Sequence, residues 1–144
     1  MAKILAVCVS TSRGTVKVPR DKIRLIENYG IEGDAHAGAW HRQVSLLDRS
    51  SVDKLREKLP DIPAGAFAEN ILTDGIILYE LPVGTLLNIG SVQLEVTQIG
   101  KECHAACAIR KQVGDCVMPR EGIFARVIKG GSVSSGDDIT VEKR

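Results

Sequence analysis

Between Gly84 and Ile99 the apolar residues Val92, Leu94 and Val96 alternate with the polar residues Gln93, Glu95 and Thr97. A period of two places successive side chains on opposite sides of a strand, so one face is buried and the other wet. Gly90-Ser91 is a turn signal, and the spacing predicts a hairpin over 85–99. Much of the remaining chain is built the same way, as short apolar runs punctuated by 14 glycines. Met1–Ser10 suits a buried strand. Ile123–Ile128 runs into Lys129-Gly130-Gly131-Ser132, and Asp138–Glu142 closes the chain, a pattern that predicts a second hairpin turning on Gly-Gly. One amphipathic helix is expected over 50–59, with Val52, Leu55 and Leu59 on one face, Ser50 as N-cap, Asp53 at the third helical position and Pro60 as the stop. No β-α-β alternation is present, which argues against a doubly wound sheet. The expected fold is mainly β: a small barrel, or an α+β domain, with a few peripheral helices.

Composition narrows the functional classes. At 144 residues there is room for one domain, and 44% hydrophobic with 26% charged residues is ordinary for a globular chain. A net charge of +1 offers no bulk attraction to nucleic acid, and the few aromatics (Tyr29, Trp40, Phe67, Tyr79, Phe124) are too scattered for a base-stacking platform. No apolar run reaches the roughly 18 residues of a membrane span. The expectation is a cytoplasmic protein with no nucleic-acid or membrane partner. Of the four cysteines, Cys103, Cys107 and Cys116 crowd into one short segment. Such crowding speaks for metal, sulfur or redox chemistry rather than a disulfide framework.

Four segments carry candidate chemistry. In Gly33-Asp34-Ala35-His36-Ala37-Gly38-Ala39-Trp40-His41-Arg42 small residues let the backbone bend and leave polar side chains uncovered. A glycine-flanked aspartate is equally an ordinary turn residue capping backbone amides, and spacing alone does not choose between the two. In Gly100-Lys101-Glu102-Cys103-His104 a cysteine follows a strand end, where Lys101 and His104 favour its thiolate. Thiolate is both a nucleophile and a soft metal ligand, which fits sulfur transfer or a transition metal better than Mg²⁺ or Ca²⁺. Zinc on Cys103, His104 and Cys107 with His36 or His41 is a weaker fit, because the spacing is Cys-x3-Cys and no second pair follows. In Pro119-Arg120-Glu121-Gly122 a rigid turn presents Arg120 ahead of a strand carrying Arg126, and arginines so held clamp phosphate or carboxylate. A surface ion pair accounts for Arg120 equally well. For Glu69-Asn70, hydrogen bonds to the backbone of a neighbouring loop are expected over ligand contact.

Taken in order, these segments resemble the MOSC family, the domain found at the C-terminus of molybdenum cofactor sulfurases and as free-standing bacterial proteins. The matching stretches are Gly30–Gly38, His41–Leu47, Glu69–Ile71, Leu81–Thr85 through Ile89-Gly90, Glu95–His104, Met118–Val127 and Gly136-Asp137, so the likeness spans about residues 3–142. The resemblance implies a single domain over 1–144, a barrel with few helices, and Cys103 as the family's characteristic cysteine, ligating molybdenum or carrying sulfur. It makes molybdenum cofactor (molybdopterin) the expected cofactor, with Asp34 and His36 shaping or lining its pocket and Arg42, Lys101, Arg120 and Arg126 toward its phosphate and pterin end. Pyridoxal phosphate is not expected, since the desulfurase domain of full-length sulfurases is missing from this sequence. Expected partners are the cofactor itself or proteins that donate or accept sulfur, and barrel edges favour a homodimer. Two alternatives stand beside this reading: a molybdenum-dependent reductase of N-hydroxylated compounds supplied by external electron donors, and a non-catalytic zinc-binding or interaction domain.

Overall fold

A computed structural model describes residues 2–10, 17–35, 37–53, 64–65, 69–100 and 121–142. Among the described residues eleven strands and one short α-helix follow in chain order, with a 3-10 turn at Leu78–Glu80: β1 (Ala2–Val9), β2 (Val18–Arg20), β3 (Lys22–Ile26), β4 (Gly30–Ile31), β5 (Val44–Asp48), α1 (Arg49–Asp53), β6 (Ile71–Asp74), β7 (Leu86–Ile89), β8 (Val92–Ile99), β9 (Ile123–Lys129), β10 (Gly131–Ser134) and β11 (Asp138–Glu142). Seven of them close a ring in the order β11-β7-β8-β9-β5-β6-β1, with Ala2 opposite Ile139 and Lys3 opposite Asp138 at the seam. Closure removes free sheet edges from the ring. Its pairs are antiparallel except β5–β6, where Leu46 lies opposite Ile71. β2 pairs with β1 outside the ring, and β10-β3-β4 form a separate small sheet. The expected mainly-β barrel is the observed fold. Among the described residues no helix is long and apolar enough to cross a membrane.

Alternation sorts the side chains. Ile4, Val7, Val44, Leu46, Ile71, Leu94, Val96, Ile123 and Ala125 pack together inside the ring, each almost fully withdrawn from water. Full burial of one such aliphatic side chain contributes roughly 1.5–3 kcal/mol. Their neighbours in sequence, Cys8, Ser45, Leu47, Leu72 and Phe124, point to the other side of the sheet by the period of two and are buried as well. This arc of the barrel is thus covered on both faces, and β5 is buried at every position.

The first hairpin forms as its sequence predicts, with Ile89 opposite Val92 and Gly90 at φ +59 in the two-residue turn. The second does not form. β9 pairs with β8 and β5, while β10 crosses to β3 and β11 inserts between β7 and β1. Gly-Gly serves a close passage instead of a hairpin turn, since a Cβ on Gly130 would stand 2.6 Å from the Leu25 carbonyl oxygen. The helix also starts earlier than expected. Asp48, not Ser50, is its cap: the Asp48 carboxylate accepts from the Ser50 backbone N–H at 3.1 Å and from the Ser50 hydroxyl at 2.9 Å. Residues 54–59 of the expected helix lie outside the described residues.

Candidate functional site

One row of residues crosses four strands of the barrel wall. Gln98 lies opposite Phe124, Phe124 opposite Ser45, and Cys8 opposite Pro19. Asn70 joins the two halves. Its Oδ1 accepts from the Ser45 backbone N–H (2.9 Å) and hydroxyl (3.1 Å), and its Nδ2 donates to the Cys8 carbonyl (3.0 Å). This side chain is fully buried and clips β5 to β1 just ahead of β6. Glu69 beside it accepts from the Gly65 backbone N–H at 2.9 Å. Both residues thus hydrogen-bond loop and strand backbone, as their setting among small apolar residues predicts.

At the Gln98 end, β8 finishes and β9 begins, and the Gly100 N–H donates to the Gly122 carbonyl at 2.7 Å. Gln98 is the hub of this corner. Its Nε2 donates to the Gly100 carbonyl (2.7 Å), while its Oε1 receives Arg42 Nε (3.1 Å) and His41 Nε2 (2.9 Å). An amide oxygen only accepts, so His41 carries its proton on Nε2. The hydroxyl of Thr97 donates to the His41 carbonyl and, at 3.1 Å, faces the Phe124 carbonyl. The Arg42 guanidinium rests over the Trp40 ring (5.8 Å to its centroid) and the Phe124 ring (5.5 Å). Cation–π contact and one hydrogen bond through Nε fix its plane. Among the described residues its terminal nitrogens have no hydrogen-bond partner.

The other candidates fall differently. Arg126 donates from Nε to Glu95 Oε1 at 2.6 Å and so carries its own counter-ion. Asp34 has no exposed side-chain surface. Its Oδ1 accepts from Lys17 Nζ at 2.8 Å and from the Ser10 backbone N–H at 3.1 Å, and Lys17 Nζ also reaches the Ser10 hydroxyl at 3.2 Å. Ala35 N–H donates to the Ser10 carbonyl at 2.7 Å, so this hydrogen bond and the internal ion pair hold Asp34 and Ala35 at the end of β1. Asp34 therefore shapes the turn from beneath. His36, Lys101, Cys103 and Arg120 lie outside the described residues. So do Cys107 and His104 of the zinc alternative, and among the described residues no three metal-binding side chains gather.

Two residues of this arrangement carry no role in the sequence reading. Lys17 looks like a surface lysine in a polar stretch, and only the fold shows it to be 2% exposed. Gln98 sits inside a recognised stretch, yet a glutamine after a strand gives no signal of its own. Cys8 is the remaining described cysteine, free and with no exposure. Burial first, and then the Glu69 carboxylate, push its thiol up to about 12 against a partial opposing pull from Lys17. It stays protonated near neutrality and is no nucleophile.

Comparison with known proteins adds the following. A family model for the MOSC domain matches residues 33–140. Among solved structures, the YUAD protein from Bacillus subtilis superposes with a TM-score of 0.82 at 19% identity, over 100% of this chain and 97% of that one. YiiM from Escherichia coli gives 0.70 at 21% identity over 100% and 71%, and YiiM from Geobacillus stearothermophilus gives 0.74 at 17% over 100% and 76%. At these identities the structures share the fold with this chain. No curated protein sequence matches it.

Proposed function

The chain belongs to the MOSC domain family, and from that premise we propose that it binds molybdenum cofactor or carries sulfane sulfur, with the Cys103 thiolate as molybdenum ligand or sulfur carrier. The family is associated with molybdenum cofactor, and one observation brings that association to particular residues. The Gln98 corner ties Arg42 and His41 to Gly100, the residue from which the chain runs on through Lys101 to Cys103. Chain connectivity alone keeps the Cys103 Cα within about 11 Å of Gly100. Arg120 is bonded to Glu121, whose carboxylate is anchored by the Ser51 hydroxyl at 2.7 Å next to the same strand junction.

The donor set suits such a ligand. Thiolate is a soft ligand fitted to molybdenum and to sulfane sulfur. Arg42, its guanidinium over two aromatic rings, suits an anionic heterocycle with a phosphate. Lys101 and Arg120 would add charge, and His36 would line the pocket. Arg126, neutralised by Glu95, takes the lesser part. When bound, the cofactor supplies oxygen- or sulfur-transfer chemistry at molybdenum that no side chain offers. As sulfur carrier, the Cys103 thiolate would attack the outer sulfur of a donor persulfide, take that sulfur, and release the donor's thiolate.

The test is reconstitution of purified protein with molybdenum cofactor, followed by desalting and measurement of retained molybdenum and pterin. Wild type is expected to retain both, and Cys103→Ser to lose most of the metal. Equal retention by the two proteins removes Cys103 as ligand.

A further inference from the structure

A cleft of about 580 Å³ opens beside the β10-β3-β4 sheet, lined among others by Arg20, Lys22, Arg24, Glu32, Gly33 and Ser132. Lys22 and Arg24 occupy alternate positions of β3 and so share a side, and Arg20 at the end of β2 lines the same cleft. Ile23 between them is buried opposite Val133 and, with Val9, gives the cleft its apolar lining. Ser132 lies directly across from Arg24 in the β3–β10 register and lines the same cleft.

The charge of this lining is unbalanced. Glu32 approaches Arg24 only to 3.8 Å, with both side chains more than half exposed, a contact of little strength. Among the described residues Arg20 and Lys22 have no ion-pair partner. Three cations against one carboxylate leave a lining of +2, while the whole chain has a net charge of only +1. Like charges gathered around one cavity repel, and an anion placed among them relieves that repulsion. The volume falls in the range of small-molecule sites.

We propose that this cleft is a binding site for a small phosphorylated ligand, with a diphosphate or phosphate monoester held by the guanidinium forks of Arg20 and Arg24 and by the ammonium of Lys22. Two forks and a point charge match the many oxygens and multiple negative charge of a phosphoryl group. A lone carboxylate would satisfy one arginine and leave the other cations facing each other. The inference does not depend on the role of Cys103.

Inorganic pyrophosphate is the probe, titrated calorimetrically into the full-length protein. Wild type is expected to bind one equivalent saturably, with affinity falling as salt is raised. Arg20→Gln/Lys22→Gln/Arg24→Gln is expected to weaken binding at least tenfold while its circular dichroism and melting curve stay those of wild type, since all three side chains are exposed. Arg24→Lys, which keeps the charge and removes the fork, should cost severalfold. Lys3→Gln/Lys129→Gln, which removes surface charge elsewhere, should bind as wild type does. Three outcomes overturn the proposal: no saturable binding by wild type, undiminished binding by the triple variant, or an equal loss in the Lys3/Lys129 control.

Discussion

Lys17→Met removes an ammonium from a place water does not reach. Lys17 and Asp34 both have 0% exposed side chains, and their Nζ–Oδ1 separation is 2.8 Å. With the ammonium gone, the Asp34 carboxylate keeps the Ser10 N–H at 3.1 Å, and the Ser10 hydroxyl loses its donor at 3.2 Å. Removing one member of a buried pair typically costs about 3–5 kcal/mol, because the remaining charge is left uncompensated. For a chain of this length each kcal/mol lowers the Tm by roughly 3 °C, so the variant should melt about 10–15 °C below wild type. Asp34→Asn should be destabilised comparably, for the mirror-image reason. Combined with Lys17→Met, it should cost clearly less than the sum of the two, a coupling of about 2 kcal/mol or more. Urea unfolding followed by circular dichroism at pH 7, run on the four proteins of the cycle, measures this. A loss below about 1 kcal/mol for Lys17→Met, or strict additivity, would refute a buried pair whose members depend on one another.

Three further outcomes follow from the same geometry. Cys8 has a pKa of about 12 when folded against 9.0 in the unfolded chain, so between these values the unfolded state releases a proton that the folded state keeps. Its contribution should lower stability by about 1.4 kcal/mol per pH unit as pH rises through that window, a slope absent from Cys8→Ala when the two unfolding curves are subtracted. Asn70→Ala removes the hydrogen bonds to the Ser45 N–H and the Cys8 carbonyl in a dry setting and should lose about 2–4 kcal/mol in chemical denaturation, far more than an exposed asparagine would. Gln98→Leu should change stability by less than about 1 kcal/mol, yet free the Arg42 side chain and reduce retention of molybdenum cofactor severalfold. An unchanged retention would show that Gln98 does not position Arg42 for the ligand.

The barrel could be anticipated because its information is local. Alternation over residues 92–97 and the Gly90-Ser91 turn specify a hairpin without help from the rest of the chain. Pairing between distant strands is another matter. Nothing within residues 123–142 says that β10 belongs with β3 or that β11 closes the ring against β1, since these partners are chosen by shape across the whole domain. Gly130-Gly131 reads as a turn from propensity, but the tight fit against the Leu25 carbonyl exists only once the two sheets meet. The cap moved from Ser50 to Asp48 for a similar reason: both are good capping residues, and where β5 ends decides between them. In the candidate site, Glu69 and Asn70 revealed their work because polar residues among small apolar ones must hydrogen-bond what surrounds them. Lys17 did not, as a lysine's burial depends on a carboxylate 17 positions away. Arg126 has the same character, since its counter-ion comes from the neighbouring strand.

The most direct test of the account is elemental analysis, together with peptide mass measurement, on protein purified natively from its host and compared with Cys103→Ser. The account predicts molybdenum near one per chain, or an added mass of about 32 Da on the peptide containing Cys103, with either signal lost in the variant. Molybdenum undiminished by Cys103→Ser, or stoichiometric zinc with neither molybdenum nor added sulfur, would contradict it.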